Sequence, residues 1–455
     1  MKKSPRILIA GGLAAGPSAA AKAVRTNPRA DVIVFEASET ISYGMCEAPY
    51  AIAGVIPDES RLVSYTPERL REEKGVTVKT LHRVEKILPS QRRVIVRDVR
   101  GRETAEYEYD KLVIATGAQP KRLNMPGEDA RNVFHLSSRE NVRNIMKYID
   151  EESPSHAVII GGGYIGMDVS EALRARGMDV TVLHRHRLPM AGLETEARER
   201  ILNELEKNDV HFVTNAKIER LETGTDGKVH HVVTNRGTFE AGLVILSLGV
   251  VPNVGIARQA KIRIGATGAI AVNERQQTSA DDVYAAGDCC EIRNAVSGKP
   301  MHIPLATYAS RAGWVAGENA AGGRATFKGA IRAAAVKIFG IEVAQVGLSS
   351  EEAKEAGFEV AAESVTSYSS VALMPGSSKI TLRLIIDPKS GRLLGANVFG
   401  GNGAVQRANT LGVAIQHKLT VDEISRFDMI YAPPFAPLWD PVLIAANQAK
   451  KKVIN

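Results

Sequence analysis

Cysteine is scarce in this chain, at three of 455 residues. So few thiols cannot build a disulfide framework. Two of them, Cys289 and Cys290, are adjacent, which leaves Cys46 with no partner close in sequence and excludes a Cys-x-x-Cys or Cys-x4-Cys redox pair around it. Long apolar runs are missing as well, since none approaches the ~20 residues a membrane span needs. No Lys/Arg run and no interleaving of basic with aromatic residues offers a nucleic-acid surface, and aromatics make up only 5%. Residues 1–6 are basic, but the apolar stretch at 7–10 is too short for a secretory core and no cleavage site follows. A cytoplasmic location is therefore expected. No low-complexity segment interrupts the chain.

What the sequence has in quantity is glycine, at 40 residues, within a background that is 44% hydrophobic and 24% charged. That balance belongs to a globular protein of two or three domains, at roughly 100–200 residues each. The net charge of +7 fits a basic enzyme surface. It also fits attraction to phosphorylated anions such as NADPH or coenzyme A.

Two stretches repeat each other. Residues 6–36 read as an apolar strand, a turn holding Gly11, Gly12 and Gly16, a helix to about Asn27, and a second strand ending at Glu36. Residues 156–184 read as strand, a turn with Gly161, Gly163 and Gly166, a helix to about Arg176, and a strand ending at His184. Each is the pattern of a Rossmann unit, in which glycines permit a tight bend and the helix start favours a pyrophosphate. Two units imply two dinucleotides. Glu36 is placed to accept from a ribose. His184 stands where the second unit would carry an acid, and Arg185, His186 and Arg187 follow it. A basic cluster there favours NADPH over NADH.

Two further strand ends add to this. Residues 112–117 end in Ala-Thr116-Gly117, and residues 282–288 end in Gly287-Asp288. Asp288 offers a carboxylate to ligand hydroxyls, and the order of the motifs points to FAD. From about residue 327 strands alternate with helices in a manner expected of a separate α+β domain. The expected fold class is α/β: two Rossmann-like, three-layer ββα dinucleotide-binding domains plus a C-terminal α+β domain, a dimerisation domain by resemblance to the pyridine nucleotide–disulfide oxidoreductases. The expected boundaries are 1–120 with 254–326 for a discontinuous FAD domain, 121–253 for an NAD(P)H domain, and 327–455 for the C-terminal domain.

The motif order resembles the pyridine nucleotide–disulfide oxidoreductase family. Ser42-x-x-x-Cys46 followed by Pro49-Tyr50, the segment 304–319, and the segment 428–441 are similar to its single-cysteine branch. That branch holds coenzyme A-disulfide reductases, NADH oxidases and peroxidases, and NAD(P)H-dependent persulfide or polysulfide reductases. The resemblance implies electron flow from NADPH or NADH through FAD and a redox-active Cys46 to a small disulfide or persulfide. Coenzyme A disulfide, a coenzyme A persulfide and polysulfide all stay open as acceptors, and coenzyme A held at Cys46 stays an option. The alternatives are an oxidase or peroxidase cycling Cys46 through a sulfenic acid, and a flavin-bound redox sensor with little turnover.

Residue by residue, the resemblance implies Ser42 in the same pocket as Cys46 and Asp168 near the meeting point of nicotinamide and flavin. It implies Arg185 at a 2′-phosphate, Lys22 and Arg25 near a coenzyme A nucleotide, and Tyr431 reaching the partner subunit of a homodimer. Pro49 suits the first turn of a helix, which puts Cys46 at a helix start expected to lower its pKa. No metal, nucleic acid or membrane partner is expected. Glu47 and Ala48 depart from the family's usual Gly-Leu or Gly-Met, as do Met45, Val251 and the Leu373-Met374 pair from theirs.

Overall fold

The computed structural model describes residues 4–101 and 103–454, so the basic start at Lys2 and Lys3 lies outside the described residues. Arg6–Ala10 (β1) is buried on both faces, with Ile7, Leu8 and Ile9 fully covered. Such a strand belongs in the middle of a parallel sheet. The helix Ala15–Thr26 (α1) carries the chain over to Asp31–Phe35 (β2), which pairs in parallel with β1. The sheet has five parallel strands, in the order Val283–Ala285, Lys111–Ile114, β1, β2, Thr77–Lys79. One face carries an antiparallel sheet of His82–Leu88, Arg93–Asp98 and Thr104–Glu108, whose Val84, Ile87, Val94 and Val96 pack on Leu8, Phe35, Leu112 and Ile114. The other face carries α1 and the late helix Ala306–Ala320. Gly317 makes that helix pair possible, because a Cβ there would stand 2.0 Å from the Ala19 carbonyl oxygen. The chain thus returns, nearly 300 residues on, to complete its first domain.

The second unit repeats the design. His156–Ile160 (β3), Tyr164–Ala175 (α3) and Asp179–Leu183 (β4) build a parallel sheet in the order Val210–Val213, β4, β3, Leu243–Leu246, Val133–His135. A second three-stranded antiparallel sheet, starting at Ile218–Thr223, covers one face. The two domains are joined by a ribbon in which Ala118–Pro120 pairs with Val250–Pro252.

The last domain is a five-stranded antiparallel sheet packed by the helices Ala404–Gln416 and Pro441–Ala449. It is locked to the second domain by polar groups buried between them. Asn397 Oδ1 accepts from Glu194 N at 2.6 Å. The Glu194 carboxylate accepts from Ser350 N at 2.7 Å and Arg383 Nε at 2.8 Å. Buried charges are tolerated when paired in this way.

Candidate active site

The first glycine turn leaves β1 with a left-handed Gly11, at φ +118°. A Cβ on Gly11 would meet the Ala115 oxygen at 2.0 Å, and one on Gly16 would meet the Gly11 oxygen at 1.9 Å. The backbone closes too tightly for any side chain, leaving the start of α1 open to a pyrophosphate. Gly12 N donates to Glu36 Oε2 at 2.7 Å, while Glu36 Oε1 accepts from Ser38 N and Oγ, each at 2.8 Å. Glu36 is thereby fixed at the strand end and keeps lone pairs for ribose hydroxyls. Thr116 Oγ1 donates to the Asn253 oxygen at 2.7 Å, and Asn253 N donates to the Gly117 oxygen at 2.9 Å, which ties this turn to the returning chain.

Asp288 follows the left-handed Gly287. Among the described residues no hydrogen bond reaches its carboxylate. Burial pushes its pKa up and His302 pulls it back. A half-buried, unpartnered carboxylate beside a glycine turn fits a polyhydroxyl chain such as the flavin's ribityl. His302 itself has a structural task, with Nε2 donating to the Asp288 backbone oxygen at 2.8 Å. Tyr308 also has one, accepting from Ala333 N at 2.6 Å.

The second turn repeats the close backbone approaches of the first. A Cβ on Gly161 would stand 2.1 Å from the Ser247 oxygen, and one on Gly166 2.1 Å from the Gly161 oxygen, while the space around Gly163 is open. His184 takes the place of Glu36, with Nδ1 accepting from Gly162 N at 3.1 Å. Its expected place in a basic cluster needs correction. The ring is buried, and burial first, then the neighbouring His186, pushes its pKa down to about 4. His184 is neutral at neutral pH, and the positive charge comes from the exposed Arg185 and Arg187. Among the described residues Arg185 has no carboxylate partner, whereas Arg187 lies 3.5 Å from Glu199.

The segment around Cys46 is bound directly to the first turn. Ser42 N donates to the Gly12 oxygen at 2.9 Å and Ser64 N to the Ser42 oxygen at 2.7 Å. These bonds hold Ser42 in the left-handed region, at φ +46°, a conformation that costs a non-glycine residue about 1–3 kcal/mol and clusters at functional sites. The helix that follows, Ala48–Ile52 (α2), carries Pro49 in its first turn as expected. It is only five residues long and Cys46 precedes its N-cap, Glu47.

The expected lowering of the thiol pKa does not hold. Partial burial, then Glu47, Asp168 and Asp288, push it up, since each nearby carboxylate opposes a thiolate. The Glu47 carboxylate folds back over Gly44, where a Cβ would stand 2.0 Å from Oε2. Glu47→Gln is therefore expected to move the pH midpoint of Cys46 alkylation downward. An unshifted midpoint in thiol-labelling rates would show that Glu47 does not act on the thiol.

Asp168 stands on α3, against which α2 packs through Ala48, Ala51 and Ile52. Its pKa is raised to about 7 by burial and then by Glu171, with Lys337 opposing. Glu171 is held in turn by Lys337 and by Phe339 N, the latter at 2.7 Å. This frame from the last domain could not be read from local sequence. Lys22 and Arg25 share one side of α1. Lys22 Nζ lies 2.8 Å from Glu318 and 3.8 Å above the Trp314 ring, while Arg25 is exposed. Tyr431 is half exposed in a segment that also bares Ile430, Phe435, Leu438 and Trp439. That segment is anchored by the buried Arg407–Asp440 pair at 2.9 Å. Cys289 and Cys290 are free thiols buried under the first sheet.

Two dinucleotide turns on two three-layer domains, with a lone thiol tied to the first turn, define a flavin-dependent, nicotinamide-using oxidoreductase. Residues 5–313 match the family model described as pyridine nucleotide-disulphide oxidoreductase, and residues 333–441 match that family's dimerisation domain. The chain belongs to this family, with FAD and NAD(P)H as its cofactors and a homodimer as its assembly.

It is 35% identical, over 99% of both chains, to an NAD(P)H coenzyme A polysulfide/persulfide reductase of Pyrococcus horikoshii. It is 30% identical to an NADH oxidase of Methanocaldococcus jannaschii, over 99% of this chain and 100% of the relative. It is likewise 30% identical to a coenzyme A disulfide reductase of Staphylococcus aureus, over 98% of this chain and 100% of the relative. The solved NAD-dependent persulfide reductase of A. fulgidus superposes with a TM-score of 0.95 at 35% identity, covering 98% of this chain and 83% of the other. No described helix is long and apolar enough to cross a membrane.

Proposed function

We propose that the enzyme reduces a low-molecular-weight disulfide or persulfide, coenzyme A derivatives first, with Cys46 as the thiol that meets the substrate. One observation carries this reading: the Cys46 segment is hydrogen-bonded to the first glycine turn through Ser42 N and the Gly12 oxygen. That bond supports a thiol beside the flavin site, and Cys46 is the one exposed cysteine among three. In the substrate step the Cys46 thiolate attacks one sulfur of a disulfide. A new S–S bond joins Cys46 to that half, the old S–S bond breaks, and the departing thiolate takes up a proton. Reduction of the Cys46 mixed disulfide by two electrons breaks its S–S bond, returns Cys46 as a thiolate and releases the second half of the substrate as a thiol; FAD bound at the first turn would supply that electron pair, drawn from the nicotinamide.

The chain's own residues hold the partners in place. Gly11, Gly12, Gly16, Glu36, Thr116, Gly117 and Asp288 cradle the flavin dinucleotide, within a domain formed by 1–120 and 254–326. Gly161, Gly163, Gly166, His184, Arg185 and Arg187 take the nicotinamide dinucleotide, within 121–253, and Asp168 stands near the reacting rings. Arg25 and Lys22 serve the substrate's phosphates, with Lys22 exchanging Glu318 for the ligand. Residues 327–455 form the dimer interface and present Tyr431 to the partner subunit's site. The names of the coenzyme A-acting relatives support the substrate class.

Anaerobic assays with coenzyme A disulfide, coenzyme A persulfide and polysulfide test the reading. NADPH consumption is expected to require one of these acceptors. Rapid consumption with oxygen alone would favour the oxidase reading, in which Cys46 cycles through a sulfenic acid. Fast turnover with any acceptor removes the sensor reading. Arg185→Ala is expected to weaken NADPH by about tenfold relative to NADH, the scale of one lost charge-assisted contact. Equal effects in nucleotide titrations would refute the phosphate role.

A further inference from the structure

Arg407 closes the first turn of the helix Ala404–Gln416, where the helix dipole opposes a positive charge. Its side chain and that of Asp440 are only 7% and 6% exposed. The hydrogen bonds of this buried guanidinium run to three places. Nη2 donates to the Ser369 oxygen at 2.7 Å, Nε to Asp440 Oδ2 at 3.1 Å and Nη1 to the Gly403 oxygen at 3.0 Å. Gly403 makes room for the group, because a Cβ there would stand 2.6 Å from Nη1. The other two partners are the roots of two separate loops. Ser369 opens the loop 369–378, closed at its neck by Ser369 N donating to the Ser378 oxygen at 2.8 Å. Asp440 ends the segment that carries Tyr431 and caps the helix Pro441–Ala449, with Oδ1 accepting from Val442 N at 2.9 Å.

We propose that Arg407 is a positioning residue for the part of the active site that each subunit gives to its partner: it fastens the loop 369–378 to the segment 428–441 and so sets where Tyr431 meets the substrate. The inference rests on the reading above that Tyr431 serves the partner subunit's site, and it adds the residue that holds Tyr431 there. The two loops also touch directly, Val371 N donating to the Pro433 oxygen at 3.1 Å. Their roots are buried while their tips are bare. Ser369 and Asp440 are covered, whereas Leu373 is 92% exposed and Ile430, Tyr431 and Phe435 stand out beside it. Tips of this kind take their position from their roots, since nothing within the chain packs over them. The planar guanidinium fork reaches several acceptors in fixed directions, which a lysine ammonium, a point charge on a flexible stem, does not. An apolar pair of like volume could stabilise the fold as well, but it would carry no directional bond between the loops.

Two variants of the full-length holoenzyme test this with the fastest of the three acceptors named above. Arg407→Lys keeps the charge opposite Asp440 and loses the fork. The double variant Arg407→Met with Asp440→Asn leaves no buried charge unpaired and keeps a side chain able to cap the helix. Each is expected to lower kcat/KM for the acceptor by about tenfold, the scale of one lost charge-assisted hydrogen bond. Flavin content and stopped-flow flavin reduction by NADPH are expected at wild-type values, because Arg407 touches neither dinucleotide turn. Mixed dimers, purified through two different tags, then locate the effect. When an Arg407→Lys chain with intact Cys46 is paired with a Cys46→Ser chain, the one working thiol receives its loops from an intact Arg407. Wild-type kcat/KM per working site is expected. When both changes are on one chain and the other is wild type, the working thiol receives the loosened loops, and the full loss is expected.

The reverse pattern in the mixed dimers overturns the inference, as does an unchanged kcat/KM in both homodimeric variants. Loss of FAD or slowed flavin reduction in both variants overturns it too, since Arg407 then supports the fold and not the loops. Tyr431→Ala in the same two pairings separates this from the reading it rests on. If Tyr431→Ala acts within its own subunit or has no effect, the reading of Tyr431 falls, and the proposal with it. If Tyr431→Ala acts across the interface while Arg407→Lys and the double variant leave kcat/KM unchanged, the role of Arg407 alone falls.

Discussion

Replacing Cys46 by serine is expected to lower disulfide or persulfide turnover by at least about a thousandfold, as removal of a covalent nucleophile does. The same variant is expected to bind FAD and to let NADPH bleach it at close to the wild-type rate. The physical reason is local. A serine hydroxyl can neither form nor release an S–S bond, and no other thiol is available to take over. Cys289 and Cys290 are 0% and 3% exposed. Their sulfurs lie against the Ala286 and Gly287 oxygens at 3.4 and 3.2 Å, inside the first domain's core. Steady-state assays with each acceptor, set beside stopped-flow flavin reduction, separate the two halves of the reaction. Turnover within tenfold of wild type would remove Cys46 from the substrate step.

The second large effect is a matched pair of glycine substitutions. In Gly16→Ala the new methyl would stand 1.9 Å from the Gly11 oxygen, and in Gly166→Ala 2.1 Å from the Gly161 oxygen. Overpacking against side chains already costs about 1–3 kcal/mol. Here the neighbour is backbone held in a strand-end hydrogen bond, so the turn itself must open. Gly16→Ala is expected to purify without FAD and to melt several degrees lower. Gly166→Ala is expected to keep its yellow flavin while NADPH binding weakens by more than about tenfold. Flavin absorbance and nucleotide titration measure both. Loss of FAD in Gly166→Ala, or its retention in Gly16→Ala, would show that the turns are not assigned to separate dinucleotides.

Much of the fold was legible because it is carried by short-range patterns. The run at 6–36 shows a strand, a glycine turn and an amphipathic helix in consecutive residues, and the run at 156–184 shows the same. The helices end one residue before the expected limits, at Thr26 and Ala175. The Gly287-Asp288 pair was legible as the close of an apolar strand, which the structure places at Val283–Ala285. The thiol's chemistry was not legible in the same way. Cys46 was expected at a dipole-stabilised helix start, but partial burial first, and then the carboxylates of Glu47, Asp168 and Asp288, push its pKa up. Two of those carboxylates stand more than a hundred residues away in sequence. His184 was read as one of four basic residues, since sequence shows the residue type and not the depth of the ring.

The sequence by itself determined the two dinucleotide units, their order, the lone thiol and the family. Each of these depends on residue identity at spacings of a few positions, where backbone geometry alone dictates which atoms meet. Only the tertiary structure decided the protonation states. Whether His184 is charged, which way the Cys46 pKa moves, and what holds Asp168 near 7 all depend on burial and on charges brought together from three domains. Those quantities vary with distance and with exclusion of water, and neither is written in the order of residues.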